Sequence, residues 1–171
     1  VISLKLVTMM MKYISQGKQV NIIAIRENQQ YLRDSVYNQI LWAMSILGVE
    51  SEFRTRVSPM IIQHIRTGST FYFYGANDPM KLKSNIVGNV VAVWFEEFAN
   101  LKNVDVFDQS VPTFIRQKPN FTDQVKIYIS YNPPRNPYAW VNEWVTQRET
   151  DPDYFVDSST YLDDELGFTT K

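Results

Sequence analysis

The sequence predicts an α/β fold, with a mainly parallel sheet and helices on both of its faces. Three observations carry this. Residues 125–130 (VKIYIS) read as a strand, and 20–25 (VNIIAI) and 90–95 (VVAVWF) are near-continuous apolar runs of strand length. Strands buried on both faces of a parallel sheet read this way. Between them lie stretches whose apolar residues recur at helical spacing. Strands and helices alternating along a chain favour a parallel sheet covered on two sides. At 171 residues the chain is sized for one domain, 1–171.

The elements follow in order. Leu4, Val7, Met11 and Ile14 mark one face of a helix already under way at Val1, so the chain reads as cut at its front edge. Gln16-Gly17-Lys18 stops that helix. After the run at 20–25, Arg26-Glu27-Asn28 closes the strand. Leu32, Val36, Ile40, Met44 and Leu47 then predict a helix over 31–47, ended by Gly48. Residues 60–65 and 70–74 flank Arg66-Thr67-Gly68-Ser69 and predict a hairpin. Residues 75–84 (GANDPMKLKS) read as a loop. The strand at 90–95 ends in Glu96 and Glu97, and 104–115 reads as a helix. Pro133 and Pro134 forbid the strand at 125–130 from continuing. A helix over 138–148 carries Trp140 and Trp144 on one face, and a short strand is expected over 154–160.

Composition removes several chemistries. There is no cysteine, so disulfides and thiolate metal sites are excluded. His64 is the single histidine; it falls in a predicted strand and reads as structural. A net charge of -1 offers no global attraction to nucleic acid, so any such contact rests on a local patch. No apolar run approaches the roughly 20 residues that span a bilayer, and the opening residues lack the order of a signal peptide. A cytoplasmic protein with no membrane partner is expected.

Two strand ends could carry chemistry. Glu96 and Glu97 follow an apolar strand, which sets carboxylates at the carboxyl edge of a sheet, where open α/β folds bind ligands. In a nucleotide-hydrolysing site one acid holds Mg²⁺ through water and the next positions the attacking water. Two surface glutamates at a strand exit would look the same. Ser130-Tyr131-Asn132-Pro133 ends a second strand, where an amide could reach a phosphate or simply open a turn. Lys81 and Lys83 in the loop at 75–84 could stabilise phosphoryl charge or be solvated. Arg26, directly past the strand at 20–25, could face a phosphate or pair locally. No phosphate-binding G-x-x-x-x-G-K-S/T motif occurs in the chain.

Read in order, ISLKLVTMMMKY, IAIRENQQYLRDSVYNQILWAMSILGV, FYFYGANDPMKLKS, VVAVWFEEFANL and ISYNPP resemble the ATPase domain of phage terminase large subunits, in the branch of Gram-positive siphophages and defective prophages. The resemblance spans Val1 to about Leu162. It implies a P-loop NTPase core of the RecA/ASCE-like kind that hydrolyses ATP, with Mg, to translocate double-stranded DNA into a procapsid. The phosphate-binding loop would precede Val1, and the C-terminal nuclease domain is expected to be missing. By this likeness Glu96 is the metal-side carboxylate and Glu97 the catalytic glutamate. Ser130 and Asn132 fall in the coupling motif, with Asn132 the polar sensor; Ser130 and, from its place past the strand at 20–25, Arg26 are expected to face the nucleotide. Lys83 stands where the family commonly has an arginine that completes a neighbour's site, and lysine lacks its planar fork.

The implied partners are duplex DNA, a portal protein, a small terminase subunit and further copies in a ring. The implied location is the host cytoplasm, transiently on the procapsid. Two other readings stay open. Without its phosphate loop the piece could be a catalytically inert docking scaffold. It could also belong to another DNA motor such as a helicase, although the aromatic-basic interleaving suited to single strands is missing.

Overall fold

The computed structural model describes residues 1–77, 82, 84 and 86–163, and the chain divides into two units, Val1–Asn132 and Pro133–Lys171. The first unit holds helix α1 (Ile2–Ser15), strand β1 (Asn21–Arg26), helix α2 (Asn38–Leu47), strands β2 (Phe53–Val57), β3 (Met60–His64), β4 (Thr70–Gly75) and β5 (Val90–Glu96), helix α3 (Val104–Ile115) and strand β6 (Lys126–Ser130). Its six-stranded sheet has the order β2-β3-β4-β1-β5-β6. β4, β1, β5 and β6 are parallel, while β3 runs antiparallel to both β2 and β4. The expected α/β sheet is thus present, extended at one side by an antiparallel pair.

Burial explains the order. Ile22, Ile23, Ala24 and Ile25 of β1 and Val90 to Phe95 of β5 are almost wholly shielded. Neither strand has a solvent face, so both occupy the middle of the sheet. On one side Leu6, Val7, Met10 and Ile14 of α1 and Ile40 and Met44 of α2 form a core with Ile22, Ala24, Ala92 and Trp94. On the other side Phe107 of α3 meets Phe95 with ring centroids 5.0 Å apart. Only five residues separate α1 from β1. A helix of 14 residues packed back along the sheet is about 21 Å long. Its N-terminus therefore lies toward the carboxyl ends of the strands.

Several sequence expectations need correction. The buried stripe of α1 is Ser3, Leu6, Val7, Met10 and Ile14, whereas Leu4 and Met11 are half-buried beside it. The helix expected over 31–47 is broken. A 3₁₀ turn at Gln29–Tyr31 is followed by a π-helical turn at Arg33–Tyr37, where Ser35 leaves helical geometry, and then by α2. Leu32, Val36, Tyr37 and Ile40 stay buried across the break, so the apolar spacing hides it. Gly48 ends α2 at φ +67, a left-handed conformation that suits glycine.

Strand β2 is absent from the sequence expectation. Its four residues after Phe53 are exposed, which leaves no alternating pattern to read. His64, at the end of β3, has no exposed surface; its Nδ1 accepts the Thr67 backbone N–H at 3.2 Å, so Nε2 carries the proton toward Glu52 Oε2 at 3.3 Å. It fixes the β3–β4 turn, in keeping with a structural histidine.

In the second unit the expected helix is shorter, α4 (Trp140–Thr146), with Trp144 buried and the Arg148 guanidinium 3.8 Å from its ring centroid. Residues 154–160 form no strand, and Phe155 is 91% exposed. No helix among the described residues is long and apolar enough to cross a membrane.

The burial contrast predicts a stability contrast. Ile22→Ala should lower the unfolding free energy by about 2–5 kcal/mol, as for other large-to-small core changes. Thr55→Ala on exposed β2 should change it by less than about 0.5 kcal/mol. Urea denaturation of the two variants checks both.

Candidate functional site

The parallel register decides which side chains meet. Arg26 of β1 lies level with Gly75 of β4, and Glu96 of β5 lies level with Ser130 of β6. Because Ile25 and Phe95 are partners, Arg26 and Glu96 are also neighbours. Gly75, Arg26, Glu96 and Ser130 thus form one row across the carboxyl ends of four strands. That row is the ligand-binding edge of an open α/β sheet. Gly75 is needed there, since a Cβ would stand 2.8 Å from the Gln29 backbone nitrogen.

Charge organises the row. Arg26 Nε stands 3.2 Å from Glu96 Oε2, with both side chains largely shielded. Arg26 Nη1 also donates to the Tyr31 carbonyl at 3.5 Å, and the guanidinium lies 5.6 Å from the Tyr31 ring centroid. Glu96 Oε1 accepts from Gln39 Nε2 of α2 at 3.4 Å. Its Oε2 is sheltered from solvent and accepts no hydrogen bond among the described residues. The ion pair supplies charge there without the alignment of a hydrogen bond, which leaves acceptor capacity for another ligand. Ser130 Oγ accepts from Trp94 Nε1 at 2.9 Å, which orients the hydroxyl.

Glu97 differs sharply from its neighbour. It lies past the strand, at φ +54 and ψ +45, and starts the 3₁₀ turn Phe98–Asn100. A left-handed backbone costs a residue with a side chain about 1–3 kcal/mol and is found preferentially at functional sites. The buried Phe98 anchors the turn, with its ring 6.2 Å from Phe95 and 5.3 Å from Phe107. Glu97 Oε2 accepts from Asn100 Nδ2 at 3.3 Å. The turn at Glu97 thus aims the second carboxylate differently from the first.

Asn132 is exposed two residues beyond β6. It is brought to the same edge of the sheet, though not into the row itself. Lys83 lies outside the described residues, as does Lys81. No group of three or more His, Cys, Asp or Glu that could cage a metal occurs among the described residues. A metal here would be held by one or two carboxylates with water and phosphate oxygens, which is how Mg²⁺ is commonly bound.

Sequence reasoning passed over Glu27, which it read only as part of a strand end. The residue directly follows β1, and its Oε2 is shielded without a hydrogen-bond partner among the described residues. Burial raises its carboxyl pKa, opposed by the Lys102 backbone N–H and the Lys102 charge. The signal was present, since Glu27 follows a buried central strand as Glu96 nearly does.

The matches to known proteins agree with this architecture. A model of the family described as "Phage terminase large subunit" matches residues 1–169. The large terminase subunit of Bacillus phage SPP1 is 30% identical over 148 residues, covering 84% of this chain and 34% of that protein. The large terminase of a thermophilic bacteriophage superposes with a TM-score of 0.62 at 19% identity, over 86% of this chain and 34% of that one. Another structure of the same thermophilic-phage protein, in complex with ADP, gives 0.54 at 16% identity, covering 77% of this chain and 30% of that chain. The bacteriophage HK97 large terminase gives 0.55 at 7% identity, with 77% and 26% covered. These likenesses bear out the α/β P-loop NTPase fold. The chain spans about a third of the length of the relatives it matches.

Glu27 generates a pH prediction. A carboxyl whose pKa is raised on folding binds its proton more tightly in the native state. The stability this group contributes is fully present below the ordinary value of 4.5 and is lost as pH rises through the raised native value. Glu27→Gln should remove that decline, which urea midpoints measured across this pH window will show against the parent protein.

Proposed function

The chain belongs to the phage terminase large subunit family, and we propose that residues 1–171 are its ATPase domain, part of a motor that hydrolyses ATP to drive double-stranded DNA into a procapsid. The observation that carries this reading is Glu96 at the end of the central strand β5, in one row with Arg26 and Ser130, with Glu97 directly after it on a left-handed turn. The ADP complex of the thermophilic-phage terminase supports a nucleotide as the ligand class. The sequence contains no G-x-x-x-x-G-K-S/T motif, so the activity is assigned to the full-length protein.

Each residue has a role that follows from its position. Glu96 offers a sheltered carboxylate oxygen that would hold magnesium through water. Bound there, the ion would neutralise charge on the triphosphate oxygens. Arg26 fixes the Glu96 carboxylate from β1 and carries a positive charge toward the phosphates. Glu97, turned out of the strand, orients the attacking water and takes its proton as the water oxygen bonds to the γ-phosphorus. ADP departs with the bridging oxygen's electron pair. Ser130 presents a hydroxyl already oriented by Trp94, and Asn132 lies beyond it as the polar sensor. Lys83 would complete a neighbouring copy's site in a ring.

Loss of the γ-phosphate would be felt at Ser130 and Asn132, where β6 leaves the sheet. The same reading supplies the remaining partners, a portal protein and a small terminase subunit. It places the protein in the host cytoplasm and transiently on the procapsid.

Glu97→Gln in the full-length protein tests the assignment. Phosphate release should fall by about 10²–10⁴-fold, the range typical of a lost general base, while ATP affinity stays near that of the parent. Unimpaired turnover would sink it.

A further inference from the structure

The antiparallel side of the sheet has a face that the ATPase reading does not use. Strand pairing sets Arg54 opposite Gln63 and Arg56 opposite Ile61, and Ile61 in turn opposite Tyr72 of β4. Directly paired residues point to the same side of a sheet. Tyr72 pairs with Ile23, which pairs with Val93, so this is the side on which α3 packs against Phe95. Over β2 and β3 that side is open. Arg54 and Arg56 are exposed, and Ile61, Gln63 and Tyr72 are half-buried.

The face is cationic. β2, β3 and β4 contain no aspartate or glutamate, although the whole chain carries a net charge of -1. Neither Arg54 nor Arg56 makes an ion pair or side-chain hydrogen bond with a described residue. The carboxylates just before β2 are Glu50 and Glu52, and Glu52 is turned to His64 at 3.3 Å and Arg66 at 3.9 Å. Two residues apart on one strand, the arginines stand roughly 7 Å from each other.

We propose that Arg54 and Arg56, on the outer face of the β2–β3 hairpin, hold the phosphate backbone of duplex DNA. The proposal rests on the motor reading and adds where the chain touches its polymer. A duplex carries one negative charge per ~1.7 Å of axis, so a fixed pair of cations finds phosphates at any register. A motor that must move along every sequence needs this kind of contact, since phosphates carry no base information. The tyrosines argue for duplex over single strand. Tyr72 and Tyr74 stack on each other at 6.2 Å and 11°, so their faces are partly spent on one another instead of offered to unpaired bases. Arginines on an edge strand also discourage sheet-to-sheet association, a role compatible with binding a polyanion.

The test is anisotropy of a labelled mixed-sequence duplex with full-length protein, without nucleotide, from about 50 to 200 mM salt. The double variant Arg54→Gln/Arg56→Gln should bind more weakly, with the slope of log affinity against log salt smaller by about 1.8, or about 0.9 for each phosphate no longer neutralised. Arg54→Lys/Arg56→Lys should restore the parent slope, and the Gln variant should keep the parent's urea midpoint. An unchanged slope in the Gln variant, a loss confined to a single-stranded probe, or no duplex binding by the parent at the lowest salt would each overturn the proposal. With no ATP present, failure here is separate from a failure of Glu97→Gln to stop hydrolysis.

Discussion

The parallel register of β4, β1, β5 and β6 is the constraint on which the rest depends. The two central strands β1 and β5 are buried on both faces and have no freedom to slip, because a one-residue shift would turn Ile22 and Ala24 away from the core they fill with Ala92 and Trp94. Once that register is set, the strand ends are set as well. Arg26 and Glu96 are brought to 3.2 Å, and Ser130 is placed level with Glu96, by a core that contains no catalytic residue. The sheet behaves as a rigid jig whose carboxyl edge carries the polar groups.

Adjacent acids then take different environments from different backbones. Glu96 is still strand and is held from two sides, by Arg26 of β1 and Gln39 of α2. Glu97 sits in a left-handed turn that Phe98 pins into the aromatic cluster with Phe95 and Phe107. A fixed, charge-paired carboxylate suits a metal-side role, and a carboxylate on a re-aimed turn suits contact with water. The antiparallel pair β2–β3 has no part in that edge and extends the sheet sideways, where its outer face is left to other partners.

Much of this was legible in the residues. The runs at 20–25 and 90–95 stand out because strands without a solvent face must be almost wholly apolar, whereas 125–130 alternates polar and apolar residues as a half-exposed edge strand does. The two acids ending the run at 90–95 marked the edge that matters. Glycines marked the helix ends at Gly17 and Gly48, both at positive φ. What escaped has physical reasons. β2 buries only Phe53, so burial imprinted no pattern on it. The π-helical turn at Arg33–Tyr37 keeps the same residues inside, so apolar spacing cannot reveal it. The turn at Glu97 is a local backbone choice anchored by buried Phe98, which no spacing announces. The position of Glu27 after a buried strand was legible, while its burial, which depends on tertiary neighbours, was not. Residues 154–160 open on Tyr154-Phe155-Val156, which reads as a strand, yet these side chains stay exposed.

The central claim is that the end of β5 receives a magnesium-bound nucleotide, and the measurement closest to it is the magnesium dependence of ATP affinity in the full-length protein and its Glu96→Gln variant. Calorimetry with magnesium and with a chelator gives that difference directly. The account predicts that magnesium tightens ATP binding by the parent protein and that the variant loses most of this gain. An equal gain in both proteins would contradict it, because Glu96 would then have no part in holding the metal.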